Sequence, residues 1–414
     1  MPRPASNCSR VAYYVTAELI PTQFYLPAED ALKMTVIPFA QRALRRSQWG
    51  TMWMGLLILA LAAPLWAEDW PTFRGPQRTG VSTETGLLQE WPADGPQLLW
   101  KAEGVGRGYS SLAILDGRIF TLGDSLTAED KDEYLLAYDQ KTGEQIWKTK
   151  TGGPWTSGQS SWQSSRSTPS TDGEVVYVIT PYGILFACDF VTGKELWQKN
   201  LKEEFQGNKG DGWGYSESPL IDGDRLICTP GGTSATVVAL DKKSGDVIWK
   251  AAQTDNRGAG HASVVITEIG GVRVYVQLTA SGAIGIRATD GAVLWTYAID
   301  RTTAVCPTPI IKGDLVFIAA GYKRGGALLR QKPAADGKID VEEIYPMKTT
   351  LANKHGGVVR IGDYLYGDSD DAGVPYCAEL MTGEIKWKAR ASGKNSAAFS
   401  AADGCLYIHF ADGT

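Results

Sequence analysis

Two of the three histidines in this 414-residue chain, His261 and His355, stand in a short phrase that recurs along it. Its copies are Gly108-Tyr-Ser-Ser111, Ser165-Arg-Ser-Thr-Pro169, Gly214-Tyr-Ser-Glu-Ser-Pro219, Gly260-His-Ala-Ser263, Val305-Cys-Pro-Thr-Pro309 and Lys354-His-Gly-Gly357. Tyr109, Arg166, Tyr215, Glu217, His261 and His355 fall in or beside comparable places, with Trp213 nearby. If the repeats surround an axis, these imidazole, guanidinium, carboxylate and aromatic groups converge, and convergent polar and aromatic groups in a concavity are how ligand sites are built. These seven are the candidate binding residues of a channel rim. The same Ser-x-Pro pattern is also a natural start to a strand, and no catalytic residue follows from it.

Other chemistry is thinly signalled. Asp368-Ser-Asp370-Asp371-Ala-Gly373 with Glu379 mimics the spacing of a calcium loop. Ala372 stands at the fifth position, Pro375 interrupts the loop and no helical pattern flanks it, so a hairpin turn is expected. There is no phosphate-binding loop, no Gly-x-Ser-x-Gly and no zinc motif. Six cysteines are present; five follow Cys8 at no metal-like spacing, and none is adjacent to another. Cys188, Cys228, Cys377 and Cys405 sit in strand patterns and read as buried thiols. No metal site is expected.

The elements that would position the rim come from a second, stronger repeat. Ala137-Tyr-Asp139-Gln-Lys-Thr-Gly143-Glu-Gln-Ile-Trp147 returns with its tryptophan at Trp197 and again at Trp249. Weaker copies end at Trp295 (from Ala288-Thr-Asp290-Gly291) and Trp387. The tryptophans fall 50, 52 and 46 residues apart, then 92, a double period that implies one degenerate copy. Periodicity on this scale means a repeat architecture. Within each copy a short apolar strand meets an Asp/Gly turn and a return strand carrying the tryptophan. An upstream pair turns at Asp116-Gly117, Asp172-Gly173, Asp222-Gly223, Lys312-Gly313-Asp314 or Asp403-Gly404. Four strands per repeat is the composition of a propeller blade. Trp147, Trp197, Trp249, Trp295 and Trp387 are expected to dock between blades.

The Ala-x-Asp-x-x-Thr-Gly-x-x-x-Trp phrase resembles the tryptophan-docking motif of the pyrroloquinoline-quinone (PQQ) repeat superfamily. That superfamily holds quinoprotein alcohol dehydrogenases and outer-membrane assembly lipoproteins of the BamB type. The resemblance covers roughly residues 69–414. Asp69-Trp-Pro-Thr-Phe-Arg74-Gly-Pro-Gln-Arg78-Thr-Gly80 also resembles the start of secreted PQQ-like propellers of planctomycete bacteria. The implied fold is an all-β propeller with blades near 109–150, 166–200, 215–252, 260–298, 306–346 and 355–390. A partial seventh starts at Ser396, as in a truncated seven- or eight-bladed ring. The fifth blade is the degenerate one, and Trp100 looks like an outer strand that has lost its blade.

A PQQ enzyme of this class would hold PQQ and Ca²⁺, an ion that takes six to eight oxygens. Glu217 is the one clear carboxylate at the channel positions, and the vicinal cysteine pair of many such enzymes is missing. The resemblance therefore implies a scaffold that binds an envelope protein or small ligand. The alternatives are a PQQ-dependent alcohol or polyvinyl-alcohol dehydrogenase, and a sensor or scaffold domain of a larger system.

Net charge −5 and a pI near 5.5 give no electrostatic footprint for nucleic acid. The apolar run 52–67, after Arg42, Arg45 and Arg46, resembles a secretory signal peptide and is short for a membrane span. A periplasmic or secreted protein with no membrane span after cleavage is expected. Residues 1–51 then form an N-terminal extension that points to a misassigned start, 68–96 lead into the propeller, and 97–414 form it, incomplete at the C-terminus.

Overall fold

The computed structural model describes residues 68–414 apart from 94, 159–161 and 301–304. The extension 1–51, the signal-like run 52–67 and Cys8 lie outside the described residues. Six four-stranded antiparallel sheets and one two-stranded sheet follow in chain order. They span 113–152, 170–200, 220–251, 265–298, 310–348, 358–388 and 397–410. Neighbouring innermost strands touch: Ala113–Leu115 with Ser170–Thr171, the latter with Leu220–Asp222, and Val265–Ile269 with Ile310–Lys312, Val358–Ile361 and Ala397–Ala402 in turn; a hydrogen bond from Ser218 to Ser263, just ahead of their strands, links the two sets. The molecule is a β-propeller of six complete blades and a partial seventh.

Each core lies between two blades, so the middle strands are buried on both faces and read as continuous apolar runs. All five residues of Val175–Ile179 are buried. Side chains alternate across a strand, so Tyr177 and Ile179 join blade 3 while Val176 and Val178 join blade 1. Tight turns close the inner pairs. Asp116 and Gly117 both have positive φ, 49° and 72°, the two-residue hairpin that glycine and aspartate favour.

The outer repeat builds a belt of identical docks. In blade 1, Asp139 Oδ1 accepts from the N–H of Lys141 (2.9 Å) and Thr142 (2.8 Å), and Gly143 turns with φ 72°. Asp189 and Asp241 do the same in blades 2 and 3. The preceding blade's tryptophan lies over the turn glycine, where a Cβ would strike the ring: Trp147 over Gly193, Trp197 over Gly245, Trp249 over Gly291. The indole N–H of each donates to a carbonyl of the next blade: Trp147 to Phe190 (3.3 Å), Trp197 to Lys242 (3.3 Å), Trp249 to Ala288 (3.1 Å). Trp100, outside any strand, docks on blade 1 in the same way, over Gly143 and onto the Gln140 carbonyl at 3.1 Å.

Three copies depart from the pattern. In blade 4, Trp295 pairs with Gly285, not Ala288, so Arg287 takes the aspartate place and the phrase read from Ala288 is three residues out of step. In blade 5 a long Gly325–Pro333/Ile339–Lys348 hairpin replaces the short turn, and Trp295 donates to the Gln331 side chain (3.1 Å). Tyr345 fills that blade's docking position, lying over Gly383 and donating to the Leu380 carbonyl at 3.0 Å. Trp387 is half-buried against Tyr366 and has no docking turn among the described residues.

The segment before the first blade is more than a lead-in. Residues 70–82 cross the hub. Trp70 pairs with Ile114 of blade 1, Thr171 of blade 2 donates to Pro71 O, and Gly80 and Ser82 bond Ala401 of blade 7. Arg78 donates to the carbonyls of Ser218 (2.9 Å), Val264 (3.1 Å) and Pro219, and Arg74 to Val358 (2.6 Å) and Thr79 (2.8 Å). Both guanidiniums are buried, and burial lowers each to about 10, so both stay charged at neutral pH. The plug ties six blades together along the axis.

Candidate functional site

The first repeated phrase forms a ring at the head of the innermost strands. Its Ser and Thr residues link blade to blade. Ser111 N–H donates to Thr168 Oγ1 (3.0 Å), Ser218 N–H to Ser263 Oγ (3.1 Å), and Ser263 N–H to Thr308 Oγ1 (3.4 Å). Each lies two residues before an inner strand. Two further residues upstream is a second equivalent place, holding Tyr109, Arg166, Ser216, His261, Cys306 and Lys354. These six converge on one mouth.

Three of the seven predicted rim residues, Tyr109, Arg166 and His261, occupy that place. His355 is one residue beyond it and still reaches the mouth, its ring 5.1 Å from Trp162 and its Nδ1 3.2 Å from Ser396 Oγ. Trp213, half-buried, packs over Gly158. Tyr215 and Glu217 do not reach the rim. They flank the Ser216 place by one residue each, and strand alternation turns them inward. Tyr215 is 1% exposed and its hydroxyl donates to Pro230 O at 2.8 Å. Glu217 is 2% exposed; Thr229 N–H (2.7 Å) and Oγ1 (2.9 Å) and Gln277 Nε2 (3.1 Å) donate to its carboxylate. Burial raises its pKa to about 7 against those hydrogen bonds and the Arg78 charge.

On one side of the mouth His261 is clamped. Its Nε2 lies 2.8 Å from Asp211 Oδ2 and its Nδ1 2.5 Å from Ser216 Oγ. With Asp211 ionised, Nε2 carries the ring proton and Nδ1 accepts from the serine. Lys209 Nζ bonds both oxygens of Asp211 at 3.1 Å. Burial alone would raise the Asp211 carboxyl, but the His261 hydrogen bond and the charges of His261 and Lys209 bring it well below its usual range. Burial, reinforced by Lys209, lowers His261 to about 4 against the pull of Asp211. A serine, a histidine and an aspartate in a chain suggest nucleophilic catalysis, which works best with a base titrating near the working pH. A base at about 4 is poorly matched to that task, and the neutral imidazole instead bridges Ser216 and the ionised Asp211.

The other side is aromatic. Tyr109, 43% exposed, stacks with Trp162 at 5.8 Å, and the Arg166 guanidinium lies 5.5 Å from the Tyr109 ring. Lys354 pairs with Asp371 at 2.9 Å and lies over Tyr322 at 4.6 Å. Asp371 belongs to the calcium-like loop, which is a hairpin turn: Asp368 pairs with Pro375 across it, and Asp368 Oδ1 accepts from Val374 N–H at 2.7 Å. Half-buried Cys306 has its thiol raised to about 12, mainly by desolvation.

PQQ with Ca²⁺ would require carboxylate oxygens free to face an ion. Those of Glu217 are held by Thr229 and Gln277, and among the described residues no group of three or more His, Cys, Asp and Glu could hold a metal. The residues present do not fit that pair.

Asp211, Lys209 and Trp162 were not legible in the sequence because they sit in loops outside the period. Ser216, Cys306 and Lys354 were inside the quoted phrase, and counting back from each inner strand selects them.

Blades, docks and hub define a PQQ-repeat-type β-propeller. The family model described as outer membrane protein assembly factor BamB matches residues 60–211 and 131–389, and the chain belongs to that family. It is 27% identical over 251 residues to a BamB of Shewanella oneidensis, covering 56% of this chain and 58% of that relative. It is 30% identical over 129 residues to a quinoprotein ethanol dehydrogenase of Pseudomonas aeruginosa, covering 30% of this chain and 19% of the enzyme. The crystal structure of BamB from Moraxella catarrhalis matches with a TM-score of 0.47 at 19% identity, covering 74% and 82% of the two chains. No helix among the described residues is long and apolar enough to cross a membrane.

Proposed function

We propose that this propeller is a binding scaffold of the cell envelope, periplasmic or secreted, that holds a partner at its mouth in the assembly role its family's name describes. The plug carries the reading. Residues 70–82 occupy the axis, which leaves the mouth, with exposed Tyr109 and half-buried Trp162 and Trp213, as the face offered to a partner. The depressed His261 and the occupied Glu217 oxygens also favour binding over chemistry.

The test is photocrosslinking in the native envelope, from a probe at Tyr109 or Trp213 and, as a control, at Leu196 on the outer belt. An adduct to an outer-membrane assembly component from the mouth alone is expected. Adducts from Leu196 alone would move the site to the belt. Calorimetric titration of PQQ with and without Ca²⁺ should show no saturable binding; Ca²⁺-dependent binding abolished by Glu217→Ala would replace the scaffold with a dehydrogenase.

A further inference from the structure

We propose that the mouth is a carboxylate receptor, in which the Arg166 guanidinium grips a carboxylate whose flat body lies against Tyr109 and Trp162. The inference rests on the mouth being the binding face and names the chemistry it recognises.

Pairing singles out Arg166. Among the described residues, the other cations near it each have a carboxylate: Arg107 with Asp124 (3.0 Å), Lys209 with Asp211 (3.1 Å) and Lys354 with Asp371 (2.9 Å). His261 is held neutral and contributes no charge. Arg166 has no such carboxylate, and its Nε and Nη2 are buried with no hydrogen-bond partner. A guanidinium has five donors and cannot escape its charge by deprotonation. Buried donors left unmade are costly, and native structures rarely keep them without a use.

The shape of the deficit selects the ligand. One unpaired charge asks for one negative charge, which a carboxylate supplies; a phosphate dianion would need a second free cation. The planar fork matches a carboxylate through two parallel hydrogen bonds. Arg166 faces the Tyr109 ring, and Tyr109, Trp162 and His355 form a continuous π wall with centroid spacings of 5.8 and 5.1 Å. The preferred ligand is therefore an aromatic carboxylate, whether a free acid or the C-terminus of a chain ending in an aromatic residue.

The experiment measures calorimetric binding and thermal midpoint for the full protein with five probes: benzoate, acetate, a tetrapeptide ending in phenylalanine with a free carboxylate, its C-terminal amide, and inorganic phosphate. Benzoate or the free-acid peptide should bind and raise the midpoint, and whichever binds more tightly identifies the source; the amide and phosphate should not. Arg166→Met should raise the unliganded midpoint, because two buried donors without partners are gone, and should abolish the carboxylate response. Arg166→Lys keeps the charge without the fork and should weaken binding by about tenfold. Tyr109→Ala, at an exposed position, should weaken benzoate more than acetate. Equal binding of amide and free acid, a carboxylate response that survives Arg166→Met, or no carboxylate binding to folded protein would each overturn the proposal. Mouth crosslinks alongside any of these would leave the scaffold reading standing.

Discussion

The outer belt and the mouth are built from the same repeat and obey opposite rules. At the belt one contact is copied: an aromatic N–H or O–H meets a carbonyl of the following blade over a glycine turn, at Trp100, Trp147, Trp197, Trp249 and Tyr345. At the mouth the equivalent place holds Tyr109, Arg166, Ser216, His261, Cys306 and Lys354, no two alike. A position that packs one blade on the next has the same task each time, so the same residue solves it. A position facing a shared space has six different neighbours, and any function there has to come from their differences. Repetition marks what holds the ring together, and departure from it marks where the ring can be specific.

The comparison breaks most visibly at the belt. Trp249 is buried, donates to Ala288 and lies over Gly291. Trp249→Ala should cost about 3–5 kcal/mol, the range for deleting a buried large aromatic. Trp387→Ala, removing a half-buried indole with no docking turn among the described residues, should cost clearly less. Urea unfolding of the two variants checks this. Equal losses would mean that the dock contributes little beyond ordinary burial.

How far the sequence discloses each region follows from the same contrast. The blades were legible because a recurring task leaves a recurring phrase, and Trp147, Trp197 and Trp249 dock over the glycine turns of that phrase, whereas Trp387 has no docking turn among the described residues. The fifth dock was not, since Tyr345 solves it with a hydroxyl inside a long hairpin that hides the period. Blade 4 misled by one turn: Gly285 stands where alanine was sought, and Ala288-Thr-Asp290 imitates the phrase three residues late. At the mouth the phrase was visible but its register was not. A one-residue error exchanges the two faces of a strand, and it placed Tyr215 and Glu217 on the rim in place of Ser216. The plug was invisible for a different reason. Arg74 and Arg78 bond main-chain carbonyls of distant blades, and no local pattern announces a partner that any residue type can supply.

Burial gives Glu217 of that phrase, and Glu133 of the strand Glu133–Asp139 that accepts from the phrase's Ser165 at 2.7 Å, a pH signature that the mouth should oppose. Glu217 and Glu133 are both raised from 4.5 to about 7, chiefly by desolvation. The folded protein therefore keeps protons that the unfolded chain has lost. The stability this contributes is full below about 4.5 and falls away as pH climbs through about 7, by about 3 kcal/mol for each carboxyl. His261, lowered from 6.5 to about 4, acts in the other direction: its contribution is full above 6.5 and is lost as pH falls through about 4. Unfolding free energies at pH 5 and 8 should show wild type losing more stability across that interval than Glu217→Gln, and Glu133→Gln/Glu217→Gln losing least. Parallel losses in all three would mean that both carboxyls titrate normally in the fold.

The finest comparison lies inside the belt, at the dock that uses a phenol. Tyr345→Phe removes one hydrogen bond, to Leu380 O, and leaves the ring over Gly383. The net loss of such a bond is about 1 kcal/mol, and the carbonyl left without its donor pushes the figure to the upper side of that range. Tyr345→Trp instead restores the residue type used in the other blades. If the dock were interchangeable, tryptophan would recover or exceed the wild-type midpoint. The crowding over Gly383 argues against it. A Cβ on that glycine would meet the tyrosine ring at 3.0 Å, with Leu351 and Lys348 packed at 3.1 and 3.2 Å from the same point. A wider indole has to displace one of those two side chains. Tyr345→Trp should therefore be less stable than Tyr345→Phe, which would show that the repeat keeps the contact and lets each blade choose the residue that its own hairpin can seat.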